Sequence, residues 1–151
     1  MRVLLDILAV VCIGLLVGVE FAVSAFINPI LHRLGSNEEL RVIRLFATKL
    51  GKVMPFWYAF SLVLLIAEAI FRHRTSGEVL IVVAIVIWAA IILLTILILV
   101  PINNRLVRLK PNADADAALK EHGRWDSLHR WRVVSIVAAM VCFLVAIIGP
   151  A

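Results

Sequence analysis

The chain has 151 residues, 64% hydrophobic and only 17% charged, with a formal net charge of +5. A soluble globular domain carries roughly 45–50% apolar and about 25% charged residues, and a chain this short has too little interior to bury such an excess. Lipid must be the solvent for much of it. The basic residues then read as membrane flanks, and nucleic acid is excluded as a partner because no DNA- or RNA-binding motif accompanies them.

A helix crosses the hydrocarbon with about 20 predominantly apolar residues, and four stretches qualify, at about 3–31, 53–71, 80–100 and 133–150. Backbone groups find no water in lipid, so each stretch must be helical. The expected fold class is all-α, a four-helix transmembrane bundle with antiparallel up-down topology. It forms a single membrane domain over 1–151, with interfacial helical segments near 38–51 and 114–132.

The first stretch begins like a signal peptide, with Arg2 and the "VSA" of Val23 to Ala25, but its apolar run is too long and contains Asp6. It reads as a retained transmembrane helix. Glu20, Ser24 and Asn28 recur at i, i+4, i+8 and make a polar stripe, which His32 continues if the helix survives Pro29. Ionisable groups at membrane depth are costly and point to function by default. Glu20 either pairs with an arginine of a neighbouring helix or belongs to a site. Gly14 and Gly18 form a GxxxG that suits close packing, either inside the chain or between copies in a homo-oligomer. Cys12 and Cys142 lack CxxC spacing and read as buried, inert thiols.

"GSNEEL" reads as a turn with Ser36 or Asn37 capping a helix whose first turn holds Glu38 and Glu39. That helix is amphipathic enough to lie at the interface until Pro55 starts the second span. Glu68 has Arg72 at helical ion-pair spacing, and Asp6 and Glu68 read as boundary residues. The third stretch carries no charge, and then "VPINNRL" places Asn103, Asn104 and Arg105 just past Pro101. A polar connection follows, with Asn112 or Asp114 as a cap for the next helix.

On the fourth helix, Trp125, His129, Arg132 and Ile136 fall on one narrow face, with His122 nearly on it. Asp126 and Arg130 pair at i, i+4 beside that face. An aromatic and cationic belt accounts for Arg130 and Trp131 but not for an imidazole directed at the bundle. Asn28, Asn103, Asn104, Arg105, His129 and Arg132 all fall on one membrane side, so the expectation is a polar pocket at one mouth of the bundle, closed by Trp125. That side holds twelve Lys and Arg residues against three on the other. The positive-inside rule therefore puts the 32–52 and 101–132 loops in the cytoplasm and both termini outside the cytoplasmic (inner) membrane.

"VPINNRL" followed by "WDSLHRWRVV", with "NPILH" closing the first helix, resembles the anthrone-oxygenase-like family of small four-helix membrane proteins. The resemblance implies that Asn103, Asn104, Trp125, His129 and Arg132 form the site. "LVRL" departs from the pattern after the Asn pair, where relatives often carry a Trp. The resemblance also implies an oxygenase or oxidase acting on a hydrophobic, aromatic or polycyclic small molecule, with membrane lipid as the surrounding partner. His129 suits a base, Asn103, Asn104 and Arg132 suit oxyanion donors, and Trp125 suits stacking on a flat ring system. Glu20, Asn28, Arg105 and His32 complete the expected binding set. Two alternatives stand beside it: a haem- or metal-binding redox protein with His129 as the leading ligand, and a non-catalytic binding or accessory membrane protein. The cofactor is accordingly either none or a haem or metal centre.

Overall fold

The computed structural model describes residues 2–108 and 115–149, and these are helical apart from short turns. Among the described residues, four helices are long and apolar enough to cross a membrane: α1 (Arg2–Leu31), α2 (Ser36–Phe71), α3 (Glu78–Arg108) and α4 (Ala115–Ile148). The protein is a multi-pass membrane protein. Asn112 and Asp114, the expected caps of α4, lie outside the described residues.

The outside of the bundle is apolar and the inside is partly charged, the reverse of a soluble protein. Phe56, Ile70 and Val79 are at least 70% exposed, while Glu20, Glu68, Asp126 and His129 are at most 2% exposed. Two apolar clusters hold the helices together. The larger contains Ile13, Leu16, Ala84, Trp88, Ala139 and Phe143, and the smaller contains Leu31, Leu40, Ile43, Ile102, Leu106 and Ala118. A polar layer separates them. Asp6, Arg72, Gly77 and Ala146 meet at one end of the bundle, and Asn28, Glu39, Leu106 and Ala118 gather toward the other. These contacts give the chain its up-and-down course. A Cβ on Gly77 would stand 2.5 Å from the Ala146 carbonyl oxygen, so α4 ends against backbone that only glycine leaves open.

The helices are longer than the apolar stretches alone indicate. The expected interfacial segment at 38–51 and the second span are one helix, with Pro55 inside it. Proline removes one N–H, here the partner of the Gly51 carbonyl, and the apolar turns on both sides keep the helix going. The second expected interfacial segment is likewise continuous with the fourth span from Ala115 onward. Neither Ser36 nor Asn37 caps α2. Gly35 occupies the cap position without a side-chain bond, Glu38 and Glu39 lie in the first turn, and Glu39 Oε1 instead stands 2.7 Å from His32 Nδ1.

α3 does not end at Val100. It passes through Pro101 and reaches Arg108, so Asn103, Asn104 and Arg105 stand on a helix. Just before that proline, Thr95–Leu99 forms a π turn in which the Val100 N–H donates to the Thr95 carbonyl. α1 repeats the device: Val23–Ile27 is a π turn, the Asn28 N–H donates to the Val23 carbonyl, and Pro29 follows. A π turn takes up one extra residue and rotates everything after it by about 100° relative to a plain α-helix.

Glu68 stands in the last turn of α2 and Arg72 caps it, the boundary position expected of Glu68, but inside the packing and not at a water-facing edge. Both are buried, and Arg72 donates from Nε to Glu68 Oε2 at 3.2 Å and from Nη2 to Asp6 Oδ1 at 2.7 Å. Packing of α1 against the end of α2 covers the pair, and only Asp6 keeps partial exposure. Cys12 and Cys142 are free and half-buried rather than buried. Gly14 packs against Met140 within the chain, and Gly18 has open space around it.

Candidate functional site

The polar layer is built from one turn of each helix. Arg132 of α4 donates from Nη2 to Glu20 Oε2 of α1 at 2.6 Å, and the Tyr58 hydroxyl of α2 donates to Glu20 Oε1 at 3.0 Å. Arg132 Nη1 reaches Thr95 Oγ1 of α3 at 3.4 Å, and its guanidinium lies 5.6 Å above the Tyr58 ring. Both carboxylate oxygens of Glu20 are thus engaged by donors from other helices. A charge this deep is tolerable only when so paired.

His129 joins this layer with one nitrogen and leaves the other free. Its Nδ1 lies 2.9 Å from Arg132 Nη2 and 3.3 Å from Glu20 Oε2, while Nε2 is buried without a partner. The ring is fixed by stacking. Trp125 lies 4.7 Å from His129 at 15°, and His122 lies 5.5 Å from Trp125 at 14°, a column of three rings along α4.

A cavity of about 250 Å³ opens against this layer, near the lower end of the range of small-molecule pockets, about 300 Å³ and above. Its polar edge is Glu20, Tyr58, Thr95, Asn103, His129 and Arg132, Trp125 forms part of one wall, and the rest is aliphatic, including Val23, Leu50, Met54, Ile92 and Leu99. A smaller space of about 50 Å³ adjoins it, lined by Asn28, Asn103, His122 and Trp125 among others. Both His122 ring nitrogens are buried there without a partner.

The π turns decide which polar residues meet. In a plain α-helix, residues eight apart are turned by about 80°, but with one residue taken up by a π turn they differ by only about 20°. Glu20 and Asn28 span such a turn and are both buried, and Thr95 and Asn103 span the other and both line the cavity. Ser24, in the middle of the expected stripe, is half-buried and does not line it.

A family model for anthrone oxygenase matches residues 42–142, two thirds of the chain. The chain belongs to the anthrone oxygenase family. Neither a curated protein nor a solved structure matches it. The match covers Tyr58, Thr95, Asn103, Trp125, His129 and Arg132 but leaves out the part of α1 that carries Glu20 and Asn28. For this anthrone oxygenase family member, Glu20, the carboxylate on which Tyr58 and Arg132 converge, is therefore supplied by a segment outside the family match.

The expected site residues separate into three groups. Glu20, Asn103, Trp125, His129 and Arg132 come together around the large cavity. Asn28 borders only the smaller one and donates to Asp126 Oδ1 at 2.5 Å, while Arg130 holds the other carboxylate oxygen of Asp126. Asn104, Arg105 and His32 stay outside. The inward turn expected for Asn104 and Arg105 is corrected: both are exposed, and Arg105 Nε donates to Glu121 Oε1 at 2.6 Å. On a helix, consecutive residues point about 100° apart, so Asn103 and Asn104 cannot share one face. His32 caps α1, is 44% exposed, and pairs with Glu39.

Tyr58 and Thr95 join the site without having been singled out for it in the sequence. A lone tyrosine at mid-helix and a hydroxyl in an otherwise aliphatic run were the available signals. Among the described residues, no three or more His, Cys, Asp and Glu side chains could hold a metal ion together. The Arg132 guanidinium beside His129 Nδ1 also opposes a second cation there. The haem or metal alternative draws no support from this donor set.

Proposed function

We propose that the protein is a membrane oxygenase that converts a flat, lipophilic substrate of the anthrone type, with an acidic C–H beside a carbonyl, to the corresponding quinone using O₂. The observation that carries this reading is His129: a fully buried imidazole at the polar edge of a largely apolar cavity, with Nδ1 3.3 Å from Glu20 Oε2, which accepts its proton in the tautomer that leaves Nε2 unprotonated and without a protein partner. A general base needs its accepting nitrogen free and its other nitrogen oriented by a third group.

In this reading Nε2 of His129 takes the first C–H proton, leaving an enolate. Arg132 and Asn103 stabilise the oxyanion, and Trp125 stacks on the ring system. The enolate passes one electron to O₂, and the resulting substrate radical and superoxide combine to form a C–O bond. The peroxide takes back the proton from His129. Loss of the second C–H proton to His129 then breaks the O–O bond and leaves the carbonyl. The departing hydroxide collects that proton as water. Substrate and O₂ become quinone and water with no other reactant.

The test is O₂ uptake by purified protein in lipid nanodiscs with anthrone, followed by the product. Anthraquinone carrying one oxygen atom from labelled O₂ is expected. Wild-type protein that neither takes up O₂ nor forms anthraquinone above the uncatalysed background rules out an anthrone as substrate.

The twelve-to-three distribution of Lys and Arg supports a cytoplasmic position for the 32–52 and 101–132 regions. The pocket then opens toward the cytoplasmic leaflet. Cysteines introduced at Ser76 and Ala115 are expected to label from opposite sides, and labelling of both from one side would refute this orientation.

A further inference from the structure

One wall of the cavity is also outer surface. Gly51, Pro55 and Ala59 of α2 and Ile96 of α3 line the cavity and are exposed on the outside of the bundle, whereas α1 and α4 contribute no exposed residue to the lining. The three α2 positions recur at i, i+4, i+8. Trp57 and Ser61 contact Cys12 of α1, so at about 100° per residue Pro55 and Ala59 lie on the opposite flank of Tyr58, toward α3.

α2 and α3 touch on either side of this place. On one side Trp88 Nε1 donates to the Tyr58 carbonyl at 3.1 Å and the two rings lie 5.6 Å apart. On the other, Leu40 and Ile43 pack with Ile102 and Leu106. Between the two contacts, α2 presents a hydrogen, a proline ring and a methyl group, and α3 makes its π turn at Thr95–Leu99. A Cβ on Gly51 would meet nothing within 4 Å. The result is a window rather than a closed seam.

We propose that this window between α2 and α3 is the entrance through which a flat, lipophilic aromatic substrate passes sideways from the bilayer to His129. The surroundings select that class of molecule. Phe56, Leu97 and Ile96 around the window are exposed on the lipid-facing surface, so whatever reaches it is dissolved in hydrocarbon. The residues that line the window carry no charge, and the polar groups wait at the far wall, in Glu20, His129 and Arg132. A molecule with an apolar body and one carbonyl enters with its polar edge leading and needs no detour through water. Gly51 and Ala59 set the width of the passage and thereby the thickness of the substrate. The identity of the substrate rests on the oxygenase reading above; the passage itself does not.

The test uses Gly51→Phe, Ala59→Phe and the double variant, with Ile70→Phe as a control farther along the exposed surface of the same helix. Binding of anthraquinone to the protein in nanodiscs is followed by stopped-flow quenching of tryptophan fluorescence, alongside O₂ uptake with anthrone. A blocked entrance slows association and dissociation together. We expect both rates to fall about tenfold or more in the double variant with Kd little changed, and the control to match wild type. Unchanged rates in all three variants overturn the window. A weakened Kd with unchanged association also overturns it, because the added rings then occupy the site and not its entrance. Anthraquinone binding slowed as expected in the double variant, together with a wild type that does not oxidise anthrone, leaves the window standing and removes the oxygenase reading. No anthraquinone binding and no turnover by the wild type removes both.

Discussion

Among the described residues, two buried carboxylate–guanidinium groups stand out in this bundle, and one of them has the makings of a site. Toward one end, Arg72 joins Glu68 and Asp6; in the polar layer, Arg132 joins Glu20. By charge and burial alone they are nearly alike. The first, however, draws its members from α1 and α2 only and lines none of the cavities described. The second draws on all four helices, faces a cavity of about 250 Å³, and holds an imidazole with a free nitrogen. Buried charge by itself marks a place where packing must compensate desolvation. A reactive site needs, in addition, room for a ligand and a polar atom that the protein has left uncommitted.

The comparison breaks most sharply at His129. His129→Ala is expected to lower anthrone oxidation by about 10²–10⁴-fold, the usual contribution of a positioned base, with helical content and thermal stability close to wild type. Loss of stability with no separate loss of turnover per folded molecule would reduce the polar layer to structural glue. Arg72→Met should do the reverse. It leaves Glu68 and Asp6 without their cation, and breaking such a pair costs about 3–5 kcal/mol, read as a lower melting temperature in detergent, while the protein that remains folded keeps its turnover.

Tyr58→Phe sharpens the comparison within the layer. It removes the hydroxyl that donates to Glu20 at 3.0 Å. A hydrogen bond to a charged group contributes about 1.5–3 kcal/mol, so kcat should fall about 10- to 100-fold if Glu20 orients His129. Retention of full kcat in Tyr58→Phe would show that Arg132 holds Glu20 unaided. Arg108→Ala sets the floor. Arg108 is exposed on the last turn of α3, and its loss should change turnover and melting temperature by amounts within the scatter of repeat measurements.

Much of the site could be read in advance because polar residues are rare in these helices. Glu20, His129 and Arg132 stood out as ionisable groups in apolar surroundings, and their meeting follows from the cost of burying each alone. Arg105 and Asn104 stood out equally and proved exposed, because helical α3 turns neighbouring residues to different faces. Asp126 was legible as a partner of Arg130, but its bond to Asn28, 98 positions away in the chain, was not. Tyr58 was overlooked since a tyrosine in a membrane helix is usually an interfacial anchor.

By itself, the sequence determined that the chain lies in lipid, that it crosses as four helices, and that most of its costly polar residues fall toward one side. Those properties depend on hydropathy summed along consecutive residues, which is a one-dimensional quantity. The tertiary structure decided which polar residues meet, where the cavity opens, and which helix flank is open to the bilayer. These depend on the rotation of each helix about its axis, and two π turns, one before Pro29 and one before Pro101, reset that rotation by about 100°. No pattern of hydrophobic spacing carries that information, because the turn is held in place by how the four helices pack against one another.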